Sequence, residues 1–174
     1  MDYRKLYNLE GYLFRDVHKR FRATGRISAF DFYCILVWKA NRAKSQTKSR
    51  LERIERGSFP QAVSSIAKSL REAESPRERL QVLMMDWEFR LPTASAILSV
   101  LYPRYFTVYD VRVCSVLNAH AELAQWRFSE KLWDGYRKFS TDVRRATKSV
   151  RTLRDKDRYL WGKSLFQDIK DELG

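Results

Sequence analysis

Residues 90–110, RLPTASAILSVLYPRYFTVYD, combine a helix signal, a helix break and an isolated acid in one stretch. Apolar residues recur at i, i+3, i+4 and i+7 from Ala94 to Leu101, which is the pattern of a buried helix face. The helix should end before Pro103, and β-compatible residues then lead to Asp110. Asp110 is an acid in a strongly basic chain. It is either the N-cap of the next helix or the functional residue of this segment.

The composition predicts an ordered core and a polyanionic partner. The chain has 174 residues, of which 44% are hydrophobic and 14% aromatic, so we expect one domain spanning residues 1–174. The formal net charge is +13, and such an excess repels itself unless an anion compensates it. Nucleic acid, in particular double-stranded DNA, is favoured over an anionic membrane surface.

Several classes of protein find no support in the sequence. It shows neither an N-terminal apolar segment of the signal-peptide type nor a run of about 18 apolar residues. Two cysteines and two histidines do not form a zinc-binding pattern. We therefore expect a cytoplasmic protein with no membrane contact, no metal and no cofactor. We also expect it to be a monomer and, if bacterial, to be associated with the nucleoid.

Helical periodicity dominates the chain. Ser28 and Ser75 precede apolar runs and have acids three residues later, at Asp31 and Glu78, as in capping boxes. Similar patterns recur to the C-terminus, and no segment is a convincing strand. The predicted fold class is therefore all-α, as a compact multi-helix domain.

The opening stretch also carries a family resemblance. Thr93-Ala94 and Tyr109-Asp110 are similar to the start of a helix and the catalytic aspartate in the helix-hairpin-helix DNA glycosylase superfamily. Eighteen positions separate Pro92 from Asp110, the interval that the endonuclease III branch keeps between its lysine and aspartate. The resemblance is most specific within residues 76–120. Trp38-Lys39, Arg42 and the region of Arg154 to Trp161 show a weaker similarity to bacterial relatives.

Two departures from the family pattern shape the prediction. Glu88-Phe89-Arg90 stands where the family has a Gly-x-Gly hairpin, so the hairpin is degenerate. Glycines there allow positive φ and close approach to a phosphate. Pro92 occupies the position of the lyase lysine, so the resemblance implies that a bifunctional lyase acting through a lysine Schiff base is not available here. The resemblance thus implies a helix-hairpin-helix glycosylase fold and a monofunctional enzyme.

The resemblance implies that the protein flips a damaged or modified base and hydrolyses its N-glycosidic bond, as in base-excision DNA repair. Asp110 would be catalytic, because a fixed carboxylate stabilises the positive charge that develops on the sugar. An N-cap position would hold that carboxylate rigidly, so capping and catalysis are compatible. The flipped base needs an aromatic pocket, for which the candidates are Trp38, Trp87, Tyr105 and Tyr109. Each of these aromatics could equally be a core residue.

Basic clusters suggest where a DNA backbone would bind. Residues 39–56 carry seven basic side chains against two acidic ones, and the helix start at Thr93 to Ser95 offers backbone N–H groups. Arg144, Lys148 and Arg151 stand at i, i+4 and i+7, so they are expected to form a basic stripe on one helix face. Charged helix faces are often simply solvated. The predicted contacts are Lys39, Arg42, Arg90, Thr93, Ser95, Arg144, Lys148 and Arg151.

Two other functional hypotheses remain open. A non-catalytic nucleic-acid-binding module could keep this fold after losing the hairpin, and a basic partner of an acidic protein or RNA is a third option. Acids near the C-terminus, including Asp157 and Asp168, alternate with basic residues and are expected to form surface ion pairs rather than a metal site.

Overall fold

The computed structural model describes residues 3–174 as an assembly of helices, which confirms the predicted all-α fold. No β-strand occurs among these residues, and the chain before Asp110 is extended without belonging to a sheet. Two π-helical segments, Tyr12–Val17 and Val82–Asp86, and two 3-10 segments, Asn41–Ala43 and Ala121–Gln125, interrupt the α-helices. The α-helices are α1 (Arg4–Tyr7), α2 (Leu9–Gly11), α3 (His18–Thr24), α4 (Ala29–Ala40), α5 (Lys44–Glu55), α6 (Phe59–Glu72), α7 (Pro76–Gln81), α8 (Leu91–Leu101), α9 (Val111–Leu117), α10 (Glu130–Arg145) and α11 (Leu153–Leu173).

Side-chain caps fix the helix starts that the sequence predicts. Ser28 Oγ accepts the Asp31 N–H at 3.0 Å at the start of α4, and Ser75 Oγ accepts the Glu78 N–H at 3.2 Å at the start of α7. Each cap satisfies a backbone donor that has no partner inside the helix and stabilises the helix by about 1 kcal/mol. These two predicted starts are confirmed.

Helices α4 and α8 lie at the centre of the core. Phe32, Ile35 and Leu36 of α4 and Leu98 of α8 have no exposed surface, and the two helices pack against each other. Burying a side chain of this size stabilises the fold by about 1.5–3 kcal/mol. Buried residues from many elements join them in one connected apolar cluster. The most apolar stretches of the sequence are thus the most buried helices.

A tight turn joins α7 and its π-helical extension to α8. The Phe89 N–H donates to Leu83 O at 2.9 Å, and the Phe89 side chain is buried. Glu88 adopts φ +54°, in the left-handed region that glycine prefers. The turn therefore keeps a glycine-like backbone at the position where the resemblance expects a hairpin glycine, although the residue there is glutamate.

Helix α10 ends earlier than the sequence pattern suggests. Its last residue is Arg145, and a non-helical segment leads to α11. Arg144, Lys148 and Arg151 are all exposed but do not form a stripe on one helix, so that prediction is wrong. Helix α11 packs on α9 and α10. Among residues 3–174, no helix has the length and apolarity needed to cross a membrane.

Candidate active site

The extended segment before Asp110 is anchored to two helices. Tyr136 of α10 donates its hydroxyl hydrogen to Thr107 O at 2.7 Å and accepts the Thr107 N–H at 3.1 Å. The Tyr109 N–H donates to Ser95 Oγ of α8 at 2.9 Å. All four residues are buried, where hydrogen bonds are sheltered from water. The backbone that leads into Asp110 is therefore held rigidly.

Asp110 is the N-cap of α9 and is also ion-paired. Its Oδ1 accepts the Arg112 N–H at 3.0 Å, and its Oδ2 accepts a hydrogen bond from Lys39 Nζ at 2.6 Å. Lys39 Nζ also donates to Tyr109 O at 3.2 Å. Because each carboxylate oxygen has two lone pairs, both oxygens can accept one further hydrogen bond. The side chain is 22% exposed, so solvent reaches it.

Asp110 lines a cavity of about 520 Å³. This volume falls within the range of sites that bind small molecules or a single nucleotide. Residues from α2, α4, α11 and the extended segment form its walls. The side chains that matter chemically are Glu10, Trp38, Lys39, Asp110, Arg154, Asp157, Arg158 and Trp161.

Arg154 connects the walls of this cavity. It forms ion pairs with Glu10 at 2.9 Å and with Asp157 at 2.5 Å. Its guanidinium group also lies over the rings of Phe14, at 4.7 Å, and Trp38, at 5.1 Å. These contacts join the N-terminal region, α4 and α11, so Arg154 fixes the position of the Trp38 wall.

Asp157 is a second carboxyl group in the cavity and is almost fully buried. Burial raises its pKa, whereas Arg154 and the Val108 N–H, 3.4 Å from Oδ2, act in the opposite direction. The expectation that the C-terminal acids are surface pairs is therefore wrong for Asp157. It holds for Asp168, which is exposed and pairs with Arg112.

Charges in the cavity are balanced, and its walls are aromatic. Three acidic and three basic side chains line it, so the cavity itself is not a strong anion trap. Trp38 is half-buried and Trp161 is exposed. The site thus offers a fixed carboxylate, a fixed ammonium group and two indole rings. Among residues 3–174, no cluster of histidine, cysteine or acidic side chains has the geometry to hold a metal ion.

Three of the four predicted pocket aromatics lie elsewhere. Trp38 lines the Asp110 cavity, whereas Trp87 is buried in the core. Tyr109 is also fully buried, and its hydroxyl donates to His120 O at 2.7 Å. Successive side chains of an extended chain point in opposite directions, so Tyr109 faces the core when Asp110 faces the cavity. Tyr105 is exposed and lines a different cavity.

The predicted phosphate contacts are also dispersed. Ser95 is fully buried, and its hydroxyl is occupied by Pro92 O and the Tyr109 N–H, so it does not bind phosphate. The Thr93 N–H is directed to Arg90 O at 3.1 Å and is not free. Lys39 lies inside the cavity, while Arg42, Arg90, Arg144, Lys148 and Arg151 are exposed.

The sequence held a signal for part of the cavity wall. Leu153, Asp157, Leu160 and Ser164 are the buried residues of α11, at spacings of four, three and four. That spacing places an acid on the buried face of the helix. Glu10 has no comparable signal, because only the packing of the N-terminal region brings it to Arg154.

The chain was compared with protein-family models, curated proteins and solved structures, and no match was found in any of the three.

Proposed function

We propose that the protein is a monofunctional DNA glycosylase that flips a damaged or modified base into the Asp110 cavity and releases it. The observation that carries the proposal is the capped Asp110 carboxylate, held beside a cavity with two tryptophan walls. The helix-hairpin-helix resemblance adds the order of the segments around it.

The reaction requires one fixed carboxylate. Water attacks C1′ of the flipped nucleotide, the N-glycosidic bond breaks, and the base leaves with the bonding electrons and takes up a proton. Positive charge develops on the sugar, and the Asp110 carboxylate stabilises it at short range. The free lone pairs of the same carboxylate can orient the attacking water. The products are the free base and an abasic site.

Lys39 bears on whether the enzyme is monofunctional. Position 92 is proline, yet an amine does lie in the cavity, because Lys39 Nζ is 2.6 Å from Asp110 Oδ2. Its Nζ donates to both Asp110 Oδ2 and Tyr109 O, and an amine held in these two hydrogen bonds is assigned no nucleophilic step in this proposal. Lys39 is assigned a positioning role, since it fixes the orientation of the carboxylate.

A basic segment supports DNA binding beside the cavity. It spans residues 39–56 and begins at Lys39, inside the cavity. Towards its other end, the guanidinium group of Arg50 lies over the Phe89 ring at 5.4 Å, next to the α7–α8 turn. The segment therefore links the cavity to the turn where the family resemblance places a phosphate contact. A duplex along this path would meet the exposed side chains of Arg42, Arg53 and Arg56.

A panel of damaged duplexes tests the class of reaction. Duplexes containing uracil, hypoxanthine, alkylated purines or modified cytosines are incubated with the protein and divided into alkali-treated, untreated and borohydride-treated portions. We expect strand breaks after alkali alone and no covalent adduct with borohydride. Breaks without alkali, together with a trapped adduct, would instead assign an amine nucleophile and contradict the monofunctional mechanism.

The alternative is a non-catalytic nucleic-acid-binding module. The specific observation in its favour is Glu88, which places a carboxylate at the turn where a phosphate is expected to approach. Intact DNA across the whole panel, together with salt-dependent duplex binding, would support this alternative.

A further inference from the structure

A second cavity, separate from the Asp110 site, concentrates arginine side chains. It has a volume of about 460 Å³ and shares no lining residue with the Asp110 cavity. Four arginines line it, and no carboxylate among residues 3–174 does. They come from α3, from the end of α6, from α7 and from the loop after α8: Arg22, Arg71, Arg79 and Arg104.

One of these arginines has a structural role. Arg79 donates to Leu70 O at 3.1 Å and to Ala73 O at 2.7 Å, and it lies over the Tyr102 ring at 4.6 Å. It therefore closes the C-terminal end of α6 while lining the cavity. The other three arginines are exposed, and none has an ion-pair partner in the part of the chain that the structure describes.

Arg71 is positioned by close packing. Gly25 ends α3 with φ +65°, and a Cβ atom built there would lie 2.6 Å from Arg71 Cδ. The Arg71 side chain therefore packs directly on the Gly25 backbone, which a side chain at position 25 would displace. This contact places Arg71 beside the C-terminal end of α3, where both residues line the cavity.

Helix ends do not neutralise the cluster. The C-termini of α3, α6 and α8 meet near this cavity, and each contributes roughly half a negative charge. Three such ends supply about −1.5 charges against four guanidinium groups, so an excess of roughly 2.5 positive charges is left. Glu72, at the end of α6, does not line the cavity and is directed to Lys68. The cluster therefore keeps a net positive charge, which an anionic ligand would complement.

An aromatic ring stands beside the arginines. Tyr105 lines the same cavity and is 57% exposed, although a tyrosine ring usually gains from burial. Exposed aromatic rings next to arginines are the combination that binds nucleotides, because the ring stacks on the base and guanidinium groups hold phosphate oxygens. Neither feature alone would select a nucleotide over another anion.

We propose that the second cavity binds a nucleotide through its phosphate, with Arg22, Arg71 and Arg104 at the phosphate oxygens and Tyr105 stacked on the base. The ligand is either a free nucleotide or a phosphorylated end of single-stranded nucleic acid, which share this chemistry. The proposal does not depend on glycosylase activity, because no residue of the Asp110 cavity takes part.

Calorimetric titration tests the site, with AMP, inorganic phosphate and adenosine as separate probes. We expect AMP to bind at least about tenfold more tightly than either phosphate or adenosine, since only AMP uses both features. A 5′-phosphorylated tetradeoxyadenylate tests whether the ligand is a nucleic-acid end rather than a free nucleotide. Its unphosphorylated form is the control for binding that does not use the terminal phosphate. Tighter binding of the phosphorylated oligonucleotide than of AMP assigns the site to nucleic-acid ends, and the reverse assigns it to free nucleotides.

Variants connect binding to the cavity. The double variant Arg22→Gln/Arg104→Gln changes two exposed residues and should weaken AMP binding about tenfold or more, because charge-assisted hydrogen bonds are lost. Tyr105→Ala should weaken AMP binding and leave phosphate binding unchanged.

Arg137→Gln/Arg145→Gln is the matched control, in a cavity that also contains Asp134 and Asp142. The proposal is overturned if AMP fails to bind at millimolar concentration, or if the Arg22/Arg104 variant binds it as wild type does.

Discussion

At the scale of single residues, the position of Asp110 is compatible with both alternatives that the sequence left open, an N-cap and a functional residue. The structure shows that it caps α9 and, at the same time, faces a cavity beside Lys39 and Trp38. The cap makes the carboxylate rigid, and rigidity is what electrostatic stabilisation of a short-lived cation requires. The structural role therefore supports the proposed catalytic one.

Asp157 should be important for stability, because it is buried with its partner. We expect Asp157→Ala to lower the free energy of unfolding by about 2–3 kcal/mol, since it removes the buried partner of Arg154 and leaves that guanidinium paired with Glu10 alone. Chemical denaturation measures this change. Asp168→Ala, on the same helix, removes an exposed pair and should cost less than about 1 kcal/mol. Equal effects of the two substitutions would show that the buried pair contributes no more than a surface one.

At the scale of elements, the α7–α8 turn has the left-handed backbone conformation that a hairpin glycine would adopt, although its residues are Glu88-Phe89-Arg90. Glu88 holds a left-handed conformation without being glycine, and Phe89 anchors the turn in the core. The turn leads directly into α8, and α8 positions the extended segment through the hydrogen bond from the Tyr109 N–H to Ser95 Oγ. Glutamate at this position therefore adds a charge and local strain to a turn whose backbone conformation is one that glycine prefers.

Replacing Glu88 by glycine should stabilise the protein. A non-glycine residue in the left-handed region costs about 1–2 kcal/mol, and part of the gain is offset by the greater freedom of glycine in the unfolded chain. We expect Glu88→Gly to raise the free energy of unfolding by about 1 kcal/mol relative to Glu88→Ala. The alanine variant also lacks the carboxylate, so the comparison isolates the backbone. A glycine variant no more stable than the alanine variant would contradict the strain argument.

Much at the element scale was predictable from sequence, because local rules apply there. Caps such as Ser28, the apolar face of α8 and the N-cap position of Asp110 follow from short-range patterns. The cavity was less predictable, because Glu10, Trp38 and Arg154 meet only through long-range packing. The place of Tyr109 in the core could have been deduced, since it alternates with Asp110 in an extended segment. The early end of α10 had no clear signal.

At the scale of the whole molecule, positive charge is the dominant property. The net charge of +13 is spread over several surfaces, while the Asp110 cavity itself carries equal numbers of acids and bases. This division is compatible with the proposed function, in which the surface holds a polyanion and the cavity receives a neutral base. For that function the cavity walls would need aromatic and polar groups more than charge.

DNA binding should depend steeply on salt. If about six phosphates are contacted, affinity for a duplex should fall about a thousandfold between 50 and 200 mM salt. Fluorescence anisotropy at several salt concentrations measures the slope. Arg42→Gln/Arg53→Gln, in the basic segment, should reduce the slope by about two. A wild-type loss of less than tenfold over this range would argue against a polyanion-binding surface.

Alkaline pH should unfold the protein through its buried tyrosines. Burial, reinforced by a hydrogen bond to Asp31, raises the pKa of Tyr12 to about 12, and burial raises the pKa of Tyr109 and Tyr136 as well. The unfolded chain releases these protons near pH 10, whereas the folded protein retains them, so stability is full below pH 10 and falls as the pH rises towards 12. Each tyrosine contributes up to about 1.4 kcal/mol per pH unit. Denaturation midpoints between pH 9 and 12 test this, and a constant midpoint would contradict it.

The most direct test of the central claim is a single-turnover comparison of wild type, Asp110→Asn and Asp134→Asn on the duplex that the wild type processes, with released base measured by mass spectrometry. Asparagine is an equally good N-cap, so Asp110→Asn should stay folded and bind the duplex. The control residue Asp134 lies on the exposed face of α10. We predict that Asp110→Asn slows base release at least about 100-fold, while Asp134→Asn matches wild type. Equal rates for all three proteins would contradict the assignment of Asp110 as the catalytic carboxylate.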